Sequence, residues 1–101
     1  MTGTVDVVIA GSDAAALAAT IDAARHGLRV LVVIRSSRVA PIVPFRRSLR
    51  SAGLLPPQVR VMIDAEIACV DGINGVEAVV VRHRRTGRLS SFNTRAVMRF
   101  S

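Results

Sequence analysis

The chain has 101 residues, half of them hydrophobic, and we predict a single small domain over residues 1–101. Only three residues are aromatic, with no Trp or Tyr, so the core is aliphatic and no aromatic platform exists for stacking nucleic-acid bases. The single cysteine excludes an internal disulfide. No apolar run is long enough to cross a bilayer and no signal peptide is visible, so we expect a cytoplasmic protein without a membrane partner.

All 14 basic side chains are arginine, and the formal net charge is +7. Two long stretches contain arginines and no acid: eight arginines lie between Ala23 and Ile63, and six follow Glu77. Such stretches create a positive field that favours phosphate, a nucleotide or an acidic partner. The alternative is a solvated basic surface without a ligand.

The first predicted unit is a strand, a helix and a second strand. Residues 5–10 form a nearly continuous apolar run, which is typical of a strand buried on both faces of a parallel sheet. Ser12 or Asp13 offers an N-cap for a helix that ends at the left-handed C-cap Gly27. Residues 29–34 form the second buried strand, so the two strands are parallel and joined by a right-handed crossover.

One side of this helix carries its larger apolar residues at helical spacing, namely Leu17, Ile21, Ala24 and Leu28. Three residues are predicted to lie off that stripe, namely Thr20, Asp22 and Arg25. The many alanines between them are small enough for the helix to approach the sheet closely.

The sequence pattern of the rest of the chain differs from that of the first unit. Residues 35–57 contain all four prolines, and we predict only a short helix that starts at Pro44 and ends at Gly53. From Val59 onwards the apolar period is two, which predicts strands at about 59–63, 66–71, 76–84, 88–93 and 95–100, with turns at 71–75 and 86–87.

These elements predict an α/β fold. It consists of a small Rossmann-like parallel sheet with one main helix after its first strand, and an antiparallel β-ribbon made by the second half of the chain. We expect the last strand to return to the parallel sheet.

The turn after the first strand matches most of a dinucleotide-binding fingerprint, G-x-G-x-x-G/A, in which glycines let the backbone approach a pyrophosphate at a helix N-terminus. The six positions are filled by Gly11, Ser12, Asp13, Ala14, Ala15 and Ala16. Asp13 replaces the middle glycine, so a carboxylate stands where the phosphate would bind. Two unit charges about 4 Å apart near a surface repel by roughly 4 kcal/mol. We therefore predict weakened phosphate binding, and we assign Asp13 the role of helix N-cap rather than any catalytic role.

Residues 5–34 resemble the N-terminal FAD-binding segment of the two-dinucleotide-binding-domain flavoproteins, the class of succinate dehydrogenase flavoprotein and thioredoxin reductase. Residues 76–101 resemble their hairpin and the strand that follows it. The resemblance implies an oxidoreductase-related domain whose cofactor is FAD or NADP(H). It also implies that Gly11, Ser12 and the amides of Ala14, Ala15 and Ala16 face the pyrophosphate.

In that family an acid at the end of the second strand binds the adenosine ribose, whereas this chain has Ile34 there. Arg35 follows directly, and relatives specific for NADPH carry arginines in this region. The resemblance therefore implies that Arg35, and secondarily Arg38, contacts a 2′-phosphate.

Family enzymes are several times longer than this chain. The resemblance thus implies a reduced nucleotide-binding domain, with cofactor binding that is weak or depends on a larger oxidoreductase subunit, and not a complete enzyme. A second hypothesis is a non-catalytic interaction module that docks an acidic protein through its arginine-rich face. Nucleic-acid binding is a third and weaker hypothesis, because no helix-turn-helix or zinc pattern is present.

No catalytic residue is assigned. Ser12 lacks an identifiable His–acid pair and is interpreted as a turn residue. Cys69, within an alternating apolar run, is predicted to be a small core residue. His26 and His83 stand alone without metal-ligand spacing, so no metal site is predicted.

An arginine cluster lies near the second turn. Residues 82–85, together with Arg88, are predicted to form a charged hairpin edge that resists sheet aggregation. The alternative is that this cluster binds an acidic partner or nucleic acid. Alternation would place Arg82 and Arg84 on one face of the strand, and His83 and Arg85 on the other.

Overall fold

The computed structural model describes residues 2–100 and shows a mixed α/β fold with two helices and two four-stranded sheets. In chain order the elements are β1 (Thr2–Thr4), β2 (Val7–Ala10), α1 (Ala14–Arg25), β3 (Val30–Ile34), α2 (Val39–Ser51), β4 (Val59–Ile63), β5 (Ala65–Asp71), β6 (Ala78–His83), β7 (Leu89–Asn93) and β8 (Ala96–Arg99). Neither helix in this range is long and apolar enough to cross a membrane.

The first sheet is entirely parallel, with strand order β4-β3-β2-β8. The predicted return of the last strand to this sheet is therefore confirmed, because β8 pairs with β2 from Val7 opposite Ala96 to Ala10 opposite Arg99. The second sheet has the order β1-β7-β6-β5; its hairpin strands are antiparallel, and β1 is parallel to β7.

The two sheets pack face to face, and both helices cover the other side of the parallel sheet. Alternate residues of β2 and β3 therefore point into two different cores. The helix-side core contains Val7, Ile9, Val30, Val32 and Ile34. The core between the sheets contains Val8, Leu31, Val33, Val79, Val81 and Phe92. Burial on both faces explains the continuous apolar runs of β2 and β3.

Helix α1 contacts the sheet through small side chains spaced four residues apart, Ala16, Thr20 and Ala24, all of which are buried. The prediction that Thr20 lies off the apolar stripe was wrong. Its hydroxyl donates to the carbonyl of Ala16 (2.8 Å), so the polar group is satisfied inside the helix and its methyl group packs. Leu28, predicted to be on the stripe, is exposed.

Helix α2 begins at Val39, not at Pro44 as predicted. The apolar face that packs on the core is longer than expected, since Ile42 is buried together with Phe45 and Leu49. Pro44 lies inside the helix, and the packing of this face outweighs the hydrogen bond that its ring removes. The predicted end is confirmed, because Gly53 follows the last turn with a φ of 73°.

Two strand predictions needed correction. The predicted strand 5–10 starts only at Val7, and the structure adds a strand that was not predicted, β1, in the second sheet. Between β1 and β2, the carboxylate of Asp6 accepts a hydrogen bond from the amide of Arg29 (2.7 Å). β4, predicted as part of antiparallel hairpins, pairs in parallel with β3. The chain then leaves this sheet at Asp64, whose φ is 51°.

Cys69 is exposed, which overturns its prediction as a core residue. The pairing of β5 with β6 shifts register between Ile67 and Cys69. Such a bulge reverses the alternation of side chains. Ile67 therefore packs against the core between the sheets, while Cys69 faces outwards.

The prediction that residues 82–85 form a protective edge was also wrong. β6 is an inner strand, paired with β5 on one side and β7 on the other. It ends at His83, and the turn that follows contains Arg84 and Arg85. The predicted glycine turns are both present, and Gly87 has a φ of 73°.

Candidate functional site

A cavity of about 490 Å³ lies at the carboxyl ends of the parallel strands. It is lined by Ala10, Gly11 and Ser12 after β2, by Val33, Ile34, Arg35 and Ser36 at the end of β3, by Arg99 and Phe100 at the end of β8, and by Glu66 and Ile67 of β5. The chain passes from β2 to β3 on one side, while β8 adds on the other side of β2. In open α/β sheets, ligands bind outside the carboxyl ends of strands at such a switch point.

Gly11 lines this cavity, and backbone hydrogen bonds hold the chain on both sides of it. Its amide donates to the carbonyl of Val33 (3.0 Å), and the amide of Phe100 donates to the carbonyl of Ala10 (2.7 Å). Its φ is 142°, and a Cβ atom there would lie 2.9 Å from the Cβ of Phe100. Glycine is therefore required both by backbone conformation and by the close approach of β8.

Asp13 is the N-cap of α1, as predicted. Its Oδ1 accepts a hydrogen bond from the amide of Ala16 (2.8 Å). The carboxylate thus takes a place that a bound phosphate occupies in dinucleotide-binding turns. The amides of Ala14 and Ala15 have no acceptor within residues 2–100, so two donors remain at this helix end.

An ion-pair cluster that the sequence analysis missed borders the cavity. The carboxylate of Glu66 lies between two guanidinium groups: its Oε2 is 3.5 Å from Nε of Arg35, and its Oε1 is 3.4 Å from Nη1 of Arg82. Arg84 extends the cluster, since its Nη1 donates to the carbonyl of Arg35 (2.7 Å) and lies 3.6 Å from Oδ1 of Asp64. These contacts tie the end of β3 to the second sheet.

The sequence-predicted site residues are only partly brought together. Gly11, Ser12 and Arg35 line the cavity. Asp13, Ala14 and Ala15 are exposed at the start of α1, and Ala16 is buried beneath it; none of these four lines the cavity. Arg38 is the N-cap residue of α2 and likewise does not line it.

Glu66 was missed because it belongs to no recognisable binding motif. It lies in an alternating strand 31 positions after Arg35, and only the pairing of β5 and β6 places it opposite Arg82. One signal was available: Asp64 and Glu66 are the first acids after a 41-residue stretch without any. Within residues 2–100, no group of three or more His, Cys, Asp or Glu side chains is placed to hold a metal ion.

No protein-family model matches this chain, and no characterised protein matches its sequence. Solved structures do match its fold. Thioredoxin reductase from Streptococcus pyogenes aligns over 99% of this chain with a TM-score of 0.76 and 16% identity. Thioredoxin reductase from Giardia duodenalis aligns over 98% with a TM-score of 0.77 and 15% identity. The Mycobacterium smegmatis Sdh1 complex aligns over 97% with a TM-score of 0.75 and 15% identity.

These alignments cover 32%, 31% and 34% of the solved chains, so this chain spans about a third of their length. Identities this low establish a shared fold and nothing more. The resemblance noted from the sequence is confirmed at that level: the chain has the Rossmann-like α/β fold of one portion of these oxidoreductases.

Proposed function

We propose that this chain is a nucleotide-binding domain related to flavin-dependent oxidoreductases, with FAD or NADP(H) as its ligand. The observation that carries the proposal is the cavity at the switch point of the parallel sheet, with Gly11 in its lining. Its volume of about 490 Å³ lies within the range of small-molecule sites. The two free amides of Ala14 and Ala15 would face the pyrophosphate, and Arg35 the adenosine end.

The same geometry supports weak or partner-dependent binding. Asp13 already occupies the amide of Ala16 and brings a like charge near the phosphate position. The chain also spans only about a third of its structural relatives, so a reaction centre would need residues beyond these. Oxidoreductase activity would thus require a partner subunit or further chain.

A ligand panel tests the proposal. Thermal unfolding is measured with FAD, NADH and NADPH, with adenosine as a control that lacks phosphate. A ligand at a hundred times its dissociation constant adds about 2.7 kcal/mol of stability, so the melting temperature should rise with a dinucleotide. Absence of any shift with all three dinucleotides, at concentrations that saturate millimolar sites, contradicts the proposal.

A second candidate function is docking of an acidic protein through α2. Arg46, Arg47 and Arg50 are exposed on this helix, which contains no acid, and they form no ion pair with any residue in the described range. A cluster of uncompensated cations attracts acidic surfaces, most strongly at low salt.

Polyglutamate binding tests this candidate. Changing Arg46, Arg47 and Arg50 together to Gln should abolish most of the salt-sensitive affinity for polyglutamate. The matched control changes Arg85, Arg88 and Arg95 to Gln, which removes the same charge elsewhere. Equal losses in the two triple variants would show only a net-charge effect and would contradict docking through α2.

A further inference from the structure

A second cavity, of about 370 Å³, lies between the turn that joins β6 to β7 and the segments that follow β3 and β4. Part of the arginine cluster noted in the sequence lines it. It shares no lining residue with the cavity at the carboxyl ends of the parallel strands, so the proposed function gives it no role. Six of its seven lining residues are polar, namely Ser37, Asp64, His83, Arg85, Thr86 and Arg88.

Backbone hydrogen bonds hold the turn that carries the two arginines of this cavity. The amide of His83 donates to the carbonyl of Arg88 (2.8 Å), which closes the turn. The amide of Arg84 donates to the carbonyl of Asp64 (2.8 Å), which attaches the turn to the end of β4. The backbone that carries Arg85 and Arg88 is thus in place before any ligand binds, and this lowers the entropy cost of binding.

The second cavity has an excess of positive charge. Asp64 is the one acid among its lining residues, and its carboxylate already faces Arg84, whose Nη1 lies 3.6 Å from Oδ1. The side chains of Arg85 and Arg88 form no ion pair or hydrogen bond with any residue in the range 2–100. Each guanidinium therefore keeps all of its N–H donors, in a planar fork that matches the oxygens of a phosphate.

We propose that the second cavity binds the phosphate group of a small phosphate monoester, with Arg85 and Arg88 as the residues that bind its oxygens. Such a group carries a charge of about −1.5 to −2 at pH 7 and three acceptor oxygens. Two guanidinium groups and the hydroxyls of Ser37 and Thr86 supply matching donors, and hydrogen bonds between ionised partners are the strong kind. The volume leaves room beside the phosphate for a small organic group. The proposal does not depend on nucleotide binding in the first cavity.

The test is a titration of the whole chain with glycerol 3-phosphate, followed by the amide chemical shifts of isotope-labelled protein. The shifts should saturate in the millimolar range, because both arginines are exposed and water weakens their contacts. The largest shifts should lie at Arg85, Thr86 and Arg88. Shifts at Gly11 and Ser12 should stay small, since these residues line the other cavity. Glycerol, which lacks the phosphate, should cause none of these shifts.

A pair of double variants separates the cavity from net charge. Changing Arg85 and Arg88 together to Gln should weaken glycerol 3-phosphate binding at least about tenfold, because two charge-assisted contacts are lost. The matched control changes Arg46 and Arg47 to Gln, which removes the same charge from exposed positions of α2 outside this cavity. Its affinity should fall by less than about twofold, because distant surface charges are screened.

Equal weakening in the two double variants would assign the affinity to net charge and overturn the proposal. Wild-type shifts that do not saturate, or that are largest elsewhere in the chain, overturn it without any variant. Saturable shifts at the turn that are lost in the Arg85 and Arg88 variant and kept in the control support it. The panel with FAD, NADH and NADPH tests the proposed function separately, so either claim can fail alone.

Discussion

Asp13 does at the start of α1 what a bound phosphate does in dinucleotide-binding proteins: it brings negative charge to the helix N-terminus and satisfies an amide there. Under the proposed function, the cap and the ligand would compete for one position. A substitution that removes the charge of Asp13 and keeps a capping side chain tests the electrostatic part of this competition.

Under the proposed function, Asp13→Asn should raise affinity for FAD or NADPH. Asparagine caps a helix about as well as aspartate, so stability should change by less than about 0.5 kcal/mol, whereas removing the like charge should tighten binding by about 1–3 kcal/mol. Isothermal titration and thermal unfolding measure the two effects.

Asp22→Asn is the control, because it removes the same charge at the far end of α1, where Asp22 is exposed. Its affinities should match those of the wild type. Equal gains for both variants would assign the effect to net charge, and no gain for Asp13→Asn would show that the cap does not obstruct the ligand.

At the level of elements, the close approach of α1 to the sheet depends on small side chains. Ala24→Leu, at a buried position on the contact row, should destabilise the fold by about 1–3 kcal/mol through overpacking. Ala18→Leu, at an exposed position of the same helix, should change stability by less than about 0.5 kcal/mol. Urea unfolding measures the stability of both variants. Similar losses of stability in the two variants would show that α1 is not held closely to the sheet.

The elements that could be predicted from the sequence are those specified by local signals. β2, α1 and β3 follow from two apolar runs, a cap and a C-terminal glycine, all within about thirty neighbouring residues. The start of α2 could not be predicted, because the burial of Ile42 against the core outweighs the local meaning of Pro44. β1 was not predicted at all, and the sheet membership of β4 was missed, since alternation does not say which strand is the partner.

In the candidate site, too, some residues could be predicted from local sequence and others could not. Gly11 and Ser12 follow β2 directly, and Arg35 follows β3, so their convergence at one end of a parallel sheet could be predicted. Glu66 could not, because its position depends on the pairing of β5 with β6 and on the stacking of two sheets. The exposure of Cys69 could not be predicted for a related reason, because a period-two pattern does not reveal the bulge between Ile67 and Cys69.

At the scale of the molecule, the cavity exists because two sheets stack, and Phe92 fills the space between them with its side chain fully buried. Phe92→Ala should destabilise the fold by about 3–5 kcal/mol, a large part of the stability of a domain this size. Leu89→Ala, on the same strand but largely exposed, should cost less than about 0.5 kcal/mol.

The two variants are compared by the urea concentration at the midpoint of unfolding, measured at low temperature. A Phe92→Ala midpoint close to that of Leu89→Ala would mean that the sheets are not joined through this core. If the sheets separate, Glu66 leaves the cavity, so nucleotide affinity should fall along with stability.

The Asp13 cap also bears on the life of the protein before any ligand arrives. When the first amides of a helix are satisfied only by a bound phosphate, the helix end frays in the absence of that ligand. Frayed ends are sites of proteolysis. Here the chain provides that anion from its own sequence. Under the proposed function, newly made protein should therefore persist in ligand-free form, and its abundance in the cell should not depend on the supply of nucleotide.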